Sequence, residues 1–258
     1  MVDKETPVRV GLFVTCLVDL FRPNVGFAAV KLLENADCVV DVPEQQTCCG
    51  QPAYNNGDVP DTADIARQVI EAFEQYDYVV VPSGSCAGMI KEHYPDLFAT
   101  DTQWRSRAQS LAARCYELTE FLRDVLEVEN VEARYAGTCT YHDSCSGLRE
   151  LNIKQQPRDL LTNVDGLSIN EMHESNVCCG FGGTFCVKYP EISGRMVTDK
   201  VAHVRASNAD TLLGGDMGCL LNIAGRLKRE GSDIKVYHIA EVLANKSDVA
   251  PIGEREAN

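Results

Sequence analysis

Basic charge and long apolar runs are both scarce in this 258-residue chain. Lys and Arg number 24 against 38 Asp and Glu, for a net charge of −14. With no basic stripe to neutralise phosphates, nucleic acid and anionic membrane surfaces are poor partners. The longest weakly polar run, residues 10–18, stops at Asp19 and falls far short of the roughly 20 residues that span a bilayer. The opening MVDKETPVRV carries two acidic residues and Pro7 where a secretory signal needs a basic start and a continuous apolar stretch. A cytoplasmic protein without membrane insertion is therefore expected. No low-complexity linker, no Ser-His-Asp grouping and no His-Glu-x-x-His pattern occurs.

What the chain has instead is cysteine, 12 residues in 258. That is below the roughly 8–10% of secreted disulfide scaffolds, and without an export signal such thiols read as metal or redox ligands. Closely spaced Cys-x₂₋₄-Cys arms, the usual mark of structural zinc, are missing. The cysteines repeat: Cys16, Cys48-Cys49-Gly50 and Cys86 align with Cys145, Cys178-Cys179-Gly180 and Cys219 at offsets of 129, 130 and 133. Residues 116–122 (YELTEFL) likewise resemble 237–243 (YHIAEVL), which predicts a matching helix near the end of each half. The chain reads as a tandem duplication, with one domain over 8–127 and a second over 130–245.

Strand patterns at 8–14, 38–42, 78–81, 133–141, 167–170 and 211–213 alternate with helical periodicity at 25–35, 61–76, 157–163, 191–207 and 220–230. Asp58 or Asp61 is placed to cap the 61–76 helix. Alternation of this kind predicts an α/β fold of two units, each with a mainly parallel sheet. Every repeated cysteine then falls in a loop after a strand, where ligands gather in open α/β sheets.

Four thiolates per half are soft donors suited to an iron–sulfur cluster or to zinc. Adjacent cysteines need a turn to reach a common centre, and Gly50 and Gly180 supply residues free to take positive φ. Gly182 and Gly183 add backbone N–H groups that can face an anionic cluster. The candidate ligands are therefore Cys16, Cys48, Cys49 and Cys86 in one half, and Cys145, Cys178, Cys179 and Cys219 in the other. Cys38, on a strand, and Cys115, on an apolar helix face, read as small buried hydrophobes. Cys139 and Cys186 have no partners in the first half and read as spare thiols beside the site. His142, three residues before Cys145, is a candidate ligand or proton donor, or else a hydrogen-bonded loop histidine; Phe13 holds its place in the first half. The glycine-rich CCGFGGTF lacks the Lys-Ser/Thr of a P-loop and the spacing of a dinucleotide fingerprint.

From about Val8 to about Leu243, the paired Cys-Cys-Gly motifs and their flanking cysteines resemble the cysteine-rich CCG-domain family. That family includes heterodisulfide reductase subunits and the iron–sulfur subunits of glycolate oxidase and anaerobic glycerol-3-phosphate dehydrogenase. No ferredoxin-type C-x₂-C-x₂-C-x₃-C-P run precedes the motifs here. The chain is thus similar to the short, two-domain members that serve in lactate utilisation. This resemblance implies an oxidoreductase subunit without activity of its own, passing electrons through one 4Fe-4S cluster per half within a cytoplasmic system that oxidises L-lactate to pyruvate. It implies as partners a ferredoxin-type iron–sulfur subunit and a third lactate-utilisation subunit. Where the heterodisulfide enzymes end each ligand set in Cys-x-x-Cys, this chain reads Cys86-Ala-Gly-Met89 and Cys219-Leu-Leu-Asn222. The alternatives are a heterodisulfide-like thiol/disulfide reductase subunit and a structural subunit whose cysteines hold zinc, including the mixed case with zinc in one half.

Overall fold

A computed structural model describes residues 7–254, and the chain divides into two compact units, 1–128 and 129–258. In the first, β1 (Arg9–Leu12), β2 (Val39–Asp41), β3 (Tyr78–Val81) and β4 (Cys115–Glu117) form a sheet of order β2-β1-β3-β4. All its pairings are parallel, with Val10 opposite both Val40 and Tyr78, and Val81 opposite Glu117. Parallel neighbours need crossover connections, and helices supply them. α1 (Cys16–Phe21) and α2 (Pro23–Asn35) lead to β2, α3 (Gln51–Tyr54) and α4 (Val59–Phe73) to β3. α5 (Gly84–Gly88), a π-helical turn over Met89–His93, α6 (Tyr94–Leu97) and α7 (Thr102–Ala112) lead to β4. Right-handed crossovers then put α2 on one face of the sheet and α4 and α7 on the other, and α4 packs against α6 and α7. The strands are covered on both sides, which is why Val10, Leu12 and Val79–Val81 are wholly buried. Asp58 caps α4, its carboxylate accepting from the Asp61 N–H.

After β4 comes α8 (Leu118–Glu120) and a π-helical turn at Phe121–Val125. The second unit repeats the plan with β5 (Arg134–His142), β6 (Asp165–Ile169), β7 (Thr211–Gly214) and β8 (Lys235–His238), again all parallel, in the order β6-β5-β7-β8. Its helices are α9 (Cys145–Arg149), α10 (Gln155–Thr162), α11 (Phe185–Lys188), α12 (Pro190–Ala206), α13 (Met217–Arg229) and α14 (Ile239–Leu243). The chain is therefore a duplicated α/β fold, as its alternating pattern predicts.

The repeated segments at 116–122 and 237–243 do run into the matching helices expected of them, and each begins in a fourth strand that the sequence pattern does not show. One expectation needs correction. Cys115 starts β4 rather than lying on a helix face, and it is fully buried there. Cys38 is buried just ahead of β2, its N–H held by the Leu33 carbonyl. Among the described residues no helix is long and apolar enough to cross a membrane.

Candidate metal centres

In each sheet the strand order reverses at the first strand, between β1 and β3 or β5 and β7, and ligands of open α/β sheets bind at the carboxyl ends of strands beside such a reversal. The cysteines arrive there from three directions. Cys16 is the first residue of α1, after the Thr15 cap, and Cys145 the first of α9, after the Ser144 cap. Cys86 and Cys219 are each the third residue of the helix following β3 or β7. The paired cysteines come from the long loops after β2 and β6, each closed by a glycine with left-handed backbone, φ 82° at Gly50 and 84° at Gly180. A methyl group on Gly180 would sit 2.9 Å from the Ser193 carbonyl oxygen, so that loop lies directly against α12.

The thiols form a chain of contacts in each unit. Cys16 and Cys48 sulfurs are 3.8 Å apart and those of Cys49 and Cys86 3.3 Å, with Cys48 bonded to Cys49 between them. In the second unit Cys178 bonds Cys145 and Cys179, and Cys179 in turn bonds Cys219. The same order in both units, 16–48–49–86 and 145–178–179–219, leaves the last two of each set buried, as the inner pair, and the first two half-buried, as the outer pair. Hydrogen bonds from Cys16, then Cys49, and from the Gly50 and Cys49 N–H groups hold the Cys48 thiol down at about 3. Cys178 is lowered in the same way by Cys145, Cys179 and the Gly180 N–H, which lies 3.4 Å from its sulfur. Their neighbours Cys16, Cys49, Cys145 and Cys179 are pushed up, first by the bond to the thiolate and then by burial or further thiols. One thiol in each set is thus favoured as thiolate among neighbours that hold their protons, a set of donors whose protons a soft cation would displace.

The surroundings differ between units. His142 ends β5 and is 1% exposed; neither of its ring nitrogens makes a well-formed hydrogen bond, though the Ser175 backbone lies near enough to act on the ring. A ring nitrogen and the Cys179 and Cys219 sulfurs lie within 4.8 Å of one another. Burial, then the nearby Lys200 charge, lowers His142 to about 4 and keeps the imidazole neutral. Lys200 is itself buried on α12 and donates to the Glu174 and Ser175 carbonyls at 2.6 and 3.3 Å. Burial pulls it below its ordinary value, while Cys179, Asp143, Cys178 and Cys219 act to keep it charged. Asp143 accepts both guanidinium nitrogens of Arg158, at 2.8 and 3.0 Å, and the Ser175 hydroxyl at 2.9 Å. In the first unit Phe13 and Val14 stand at the places of His142 and Asp143.

Lys200 escaped the sequence reading, although a signal exists. The buried positions of α4 (Thr62, Ala66, Val69, Ile70, Phe73) match those of α12 (Ser193, Val197, Lys200, Val201, Val204) at an offset of 131, which sets Lys200 opposite Val69. The inner-pair carbonyls are also held: Tyr94 donates its hydroxyl to Cys49 at 2.8 Å, and Asn222 its amide to Cys179 at 3.0 Å. Asn222 is thus engaged with backbone, and Met89 is buried in the core. Gly182 and Gly183 take left-handed backbone at φ 53° and 63°, and the Cys186 thiol donates to the Gly183 carbonyl, bracing that loop. Cys139 lies inside β5 in the core, where burial raises it to about 12.

A duplicated parallel α/β fold with four thiols gathered at each sheet's reversal point is a cysteine-rich α/β fold, and it corresponds to a known class. The family model described as the CCG cysteine-rich domain matches residues 10–91 and 139–224, and the chain belongs to that family. Over 239 residues, 93% of this chain and 100% of the relative, it is 53% identical to "Lactate utilization protein A" of Geobacillus sp. (strain WCH70). It is 50% identical over 240 residues to the protein of the same name from Bacillus cereus (strain G9842), again covering 93% of this chain and the whole of the relative. Among solved structures, a hypothetical protein from Helicobacter pylori aligns with TM-score 0.61 at 13% identity, over 98% of this chain and 50% of that one, a likeness of fold.

Proposed function

We propose that this chain is the iron–sulfur electron-transfer subunit of a cytoplasmic system that oxidises L-lactate to pyruvate. The observation that carries the reading is the gathering of four thiols per unit, from three loops, at a ligand-binding edge of the sheet. The donor set suits the group: soft thiolates, half-buried outside and buried within, with backbone N–H groups bonded to the lowest of them. Cys16, Cys48, Cys49 and Cys86 hold one cluster, and Cys145, Cys178, Cys179 and Cys219 the other. When bound, a four-iron cluster accepts and releases single electrons.

The chain's own residues shape that exchange. Inner cysteines exclude water, while Cys16 and Cys48 border an open cleft of about 420 Å³ that brings the first centre to the surface. Leu20 and Phe21, 72% and 62% exposed on the helix that Cys16 begins, offer a partner an apolar contact beside that edge. The substrate reading comes from the relatives named for lactate utilisation. A ferredoxin-type iron–sulfur subunit and a third lactate-utilisation subunit are the corresponding partners.

The test is iron and acid-labile sulfide analysis of anaerobically purified protein, with absorption and paramagnetic resonance spectra before and after dithionite. About eight iron and eight sulfide per chain, with reducible signals, are expected. Stoichiometric zinc without sulfide, or folded protein with no metal at all, overturns the electron-transfer role.

A further inference from the structure

The geometry points to His142 as a nitrogen ligand of the second metal centre, which would make that centre a mixed imidazole–thiolate site and the first an all-thiolate one. This rests on the metal-centre reading above and goes beyond it in assigning a donor of a different chemical class.

Placement comes from register. His142 pairs with Gly214 at the end of β7, and that strand leads into the turn that delivers Cys219 at the start of α13. The ring is carried to the carboxyl edge of the sheet beside the innermost thiols, within 4.8 Å of Cys179 and Cys219. Exposure of only 1% removes water as a partner, and neither nitrogen makes a well-formed hydrogen bond, the Ser175 backbone carbonyl acting on the ring from outside that geometry. Leaving a buried polar group unsatisfied is costly, and native structures keep such groups for a reason. The first unit shows what packing alone prefers at this place: Phe13, wholly buried, its ring 5.5 Å from that of Phe73. An imidazole where an apolar ring fits is explained by a cation shared with Cys179 and Cys219. Imidazole is an ordinary ligand for iron and zinc, and its neutral nitrogen leaves the centre less negative than a thiolate would. Added to the four thiolates, the imidazole leaves the centre's charge unchanged, whereas a thiolate in its place would lower the reduction potential.

The experiment uses full-length, iron-loaded protein grown with ¹⁵N-histidine and reduced with dithionite. Pulsed paramagnetic resonance is expected to detect a directly bound nitrogen whose coupling changes with the label. The coupling should vanish in His142→Phe and in His142→Cys, with the Cys variant retaining full iron and a lower second-centre potential. If the second centre holds zinc, X-ray absorption at the zinc edge should report a mixed nitrogen–sulfur shell that becomes all-sulfur in His142→Cys. A label-insensitive spectrum, or an all-sulfur shell in the unaltered chain, overturns the assignment while leaving the metal centres standing. Absence of metal from both units overturns the underlying reading as well, and metal analysis tells the two failures apart.

Discussion

Gly50 and Gly180 share a left-handed backbone but not the same surroundings. At Gly50 the nearest atom to an added methyl is a side-chain methyl of Ile65, 3.3 Å away, which can give slightly; at Gly180 it meets Met196 Cβ and the Ser193 carbonyl oxygen, both at 2.9 Å. Either alanine carries the conformational penalty of positive φ, roughly 1–3 kcal/mol, but only Gly180→Ala must also push a loop off a helix backbone. Thermal melting and metal content of the two variants should separate them, with Gly180→Ala the less stable and depleted at the second centre. Equal effects would mean that the loop is not seated against α12. Arg158 invites a similar contrast. Its guanidinium forks onto Asp143, whose side chain is 1% exposed, and also onto Glu171. Arg158→Ala strands a buried carboxylate and should destabilise the second unit by about 3–5 kcal/mol. Arg195→Ala removes an ion pair to Asp199 that is 79% and 54% exposed, and denaturant titration should register less than about 1 kcal/mol.

Short helices finish both sheets, and each starts with a reciprocal cap. Glu117 accepts from the Thr119 and Glu120 N–H groups ahead of α8 while Glu120 reaches back to the Glu117 N–H; at α14, His238 and Glu241 do the same. Burial drives Glu117 up to about 7 from 4.5, although the bonds from Thr119 and Glu120 pull the other way. Between those values the folded chain keeps a proton that the unfolded chain releases. The group's contribution to stability is thus complete below about 4.5 and is lost as pH rises through about 7. Glu117→Gln keeps the acceptor without the charge. Urea titrations of the metal-free chain should show the variant gaining on the unaltered protein from about pH 5 to about pH 8, then holding level. A constant difference would remove Glu117 as the titrating group. These caps also mark where sequence pattern stops being legible. Offsets between cysteines disclose the duplication, and alternation discloses three strands per unit. The fourth strands, Cys115–Glu117 and Lys235–His238, run straight into their helices, so three or four residues carry too little alternation to stand out. Lys200 is hidden for a related reason: on a largely polar helix one more cation reads as solvated, and only the burial pattern shared with α4 turns it inward.

One chain thus carries two thiol clusters built on equivalent strands but set in different electrostatic surroundings. Around the first, the places of His142, Asp143 and Lys200 are taken by Phe13, Val14 and Val69, so no buried cation faces its thiols from those positions. Around the second, Lys200 is held by two carbonyls and interacts with Cys178, Cys179 and Cys219. An added electron makes a cluster more negative, and a nearby buried ammonium stabilises that state more than the oxidised one. The second centre should therefore reduce at the higher potential. Cys49→Ser and Cys179→Ser isolate the two centres, each expected to lose about half the iron and to leave the other unit's spectrum intact. Redox titration of those variants gives the two potentials separately. Lys200→Met, of similar length and without charge, should lower the second potential by about 60 mV, the equivalent of about 1.4 kcal/mol for one electron, and leave the first unmoved. If Lys200→Met shifts neither potential, the buried cation has a packing role only. A shift of both alike would place its influence on the chain as a whole rather than on the centre it faces.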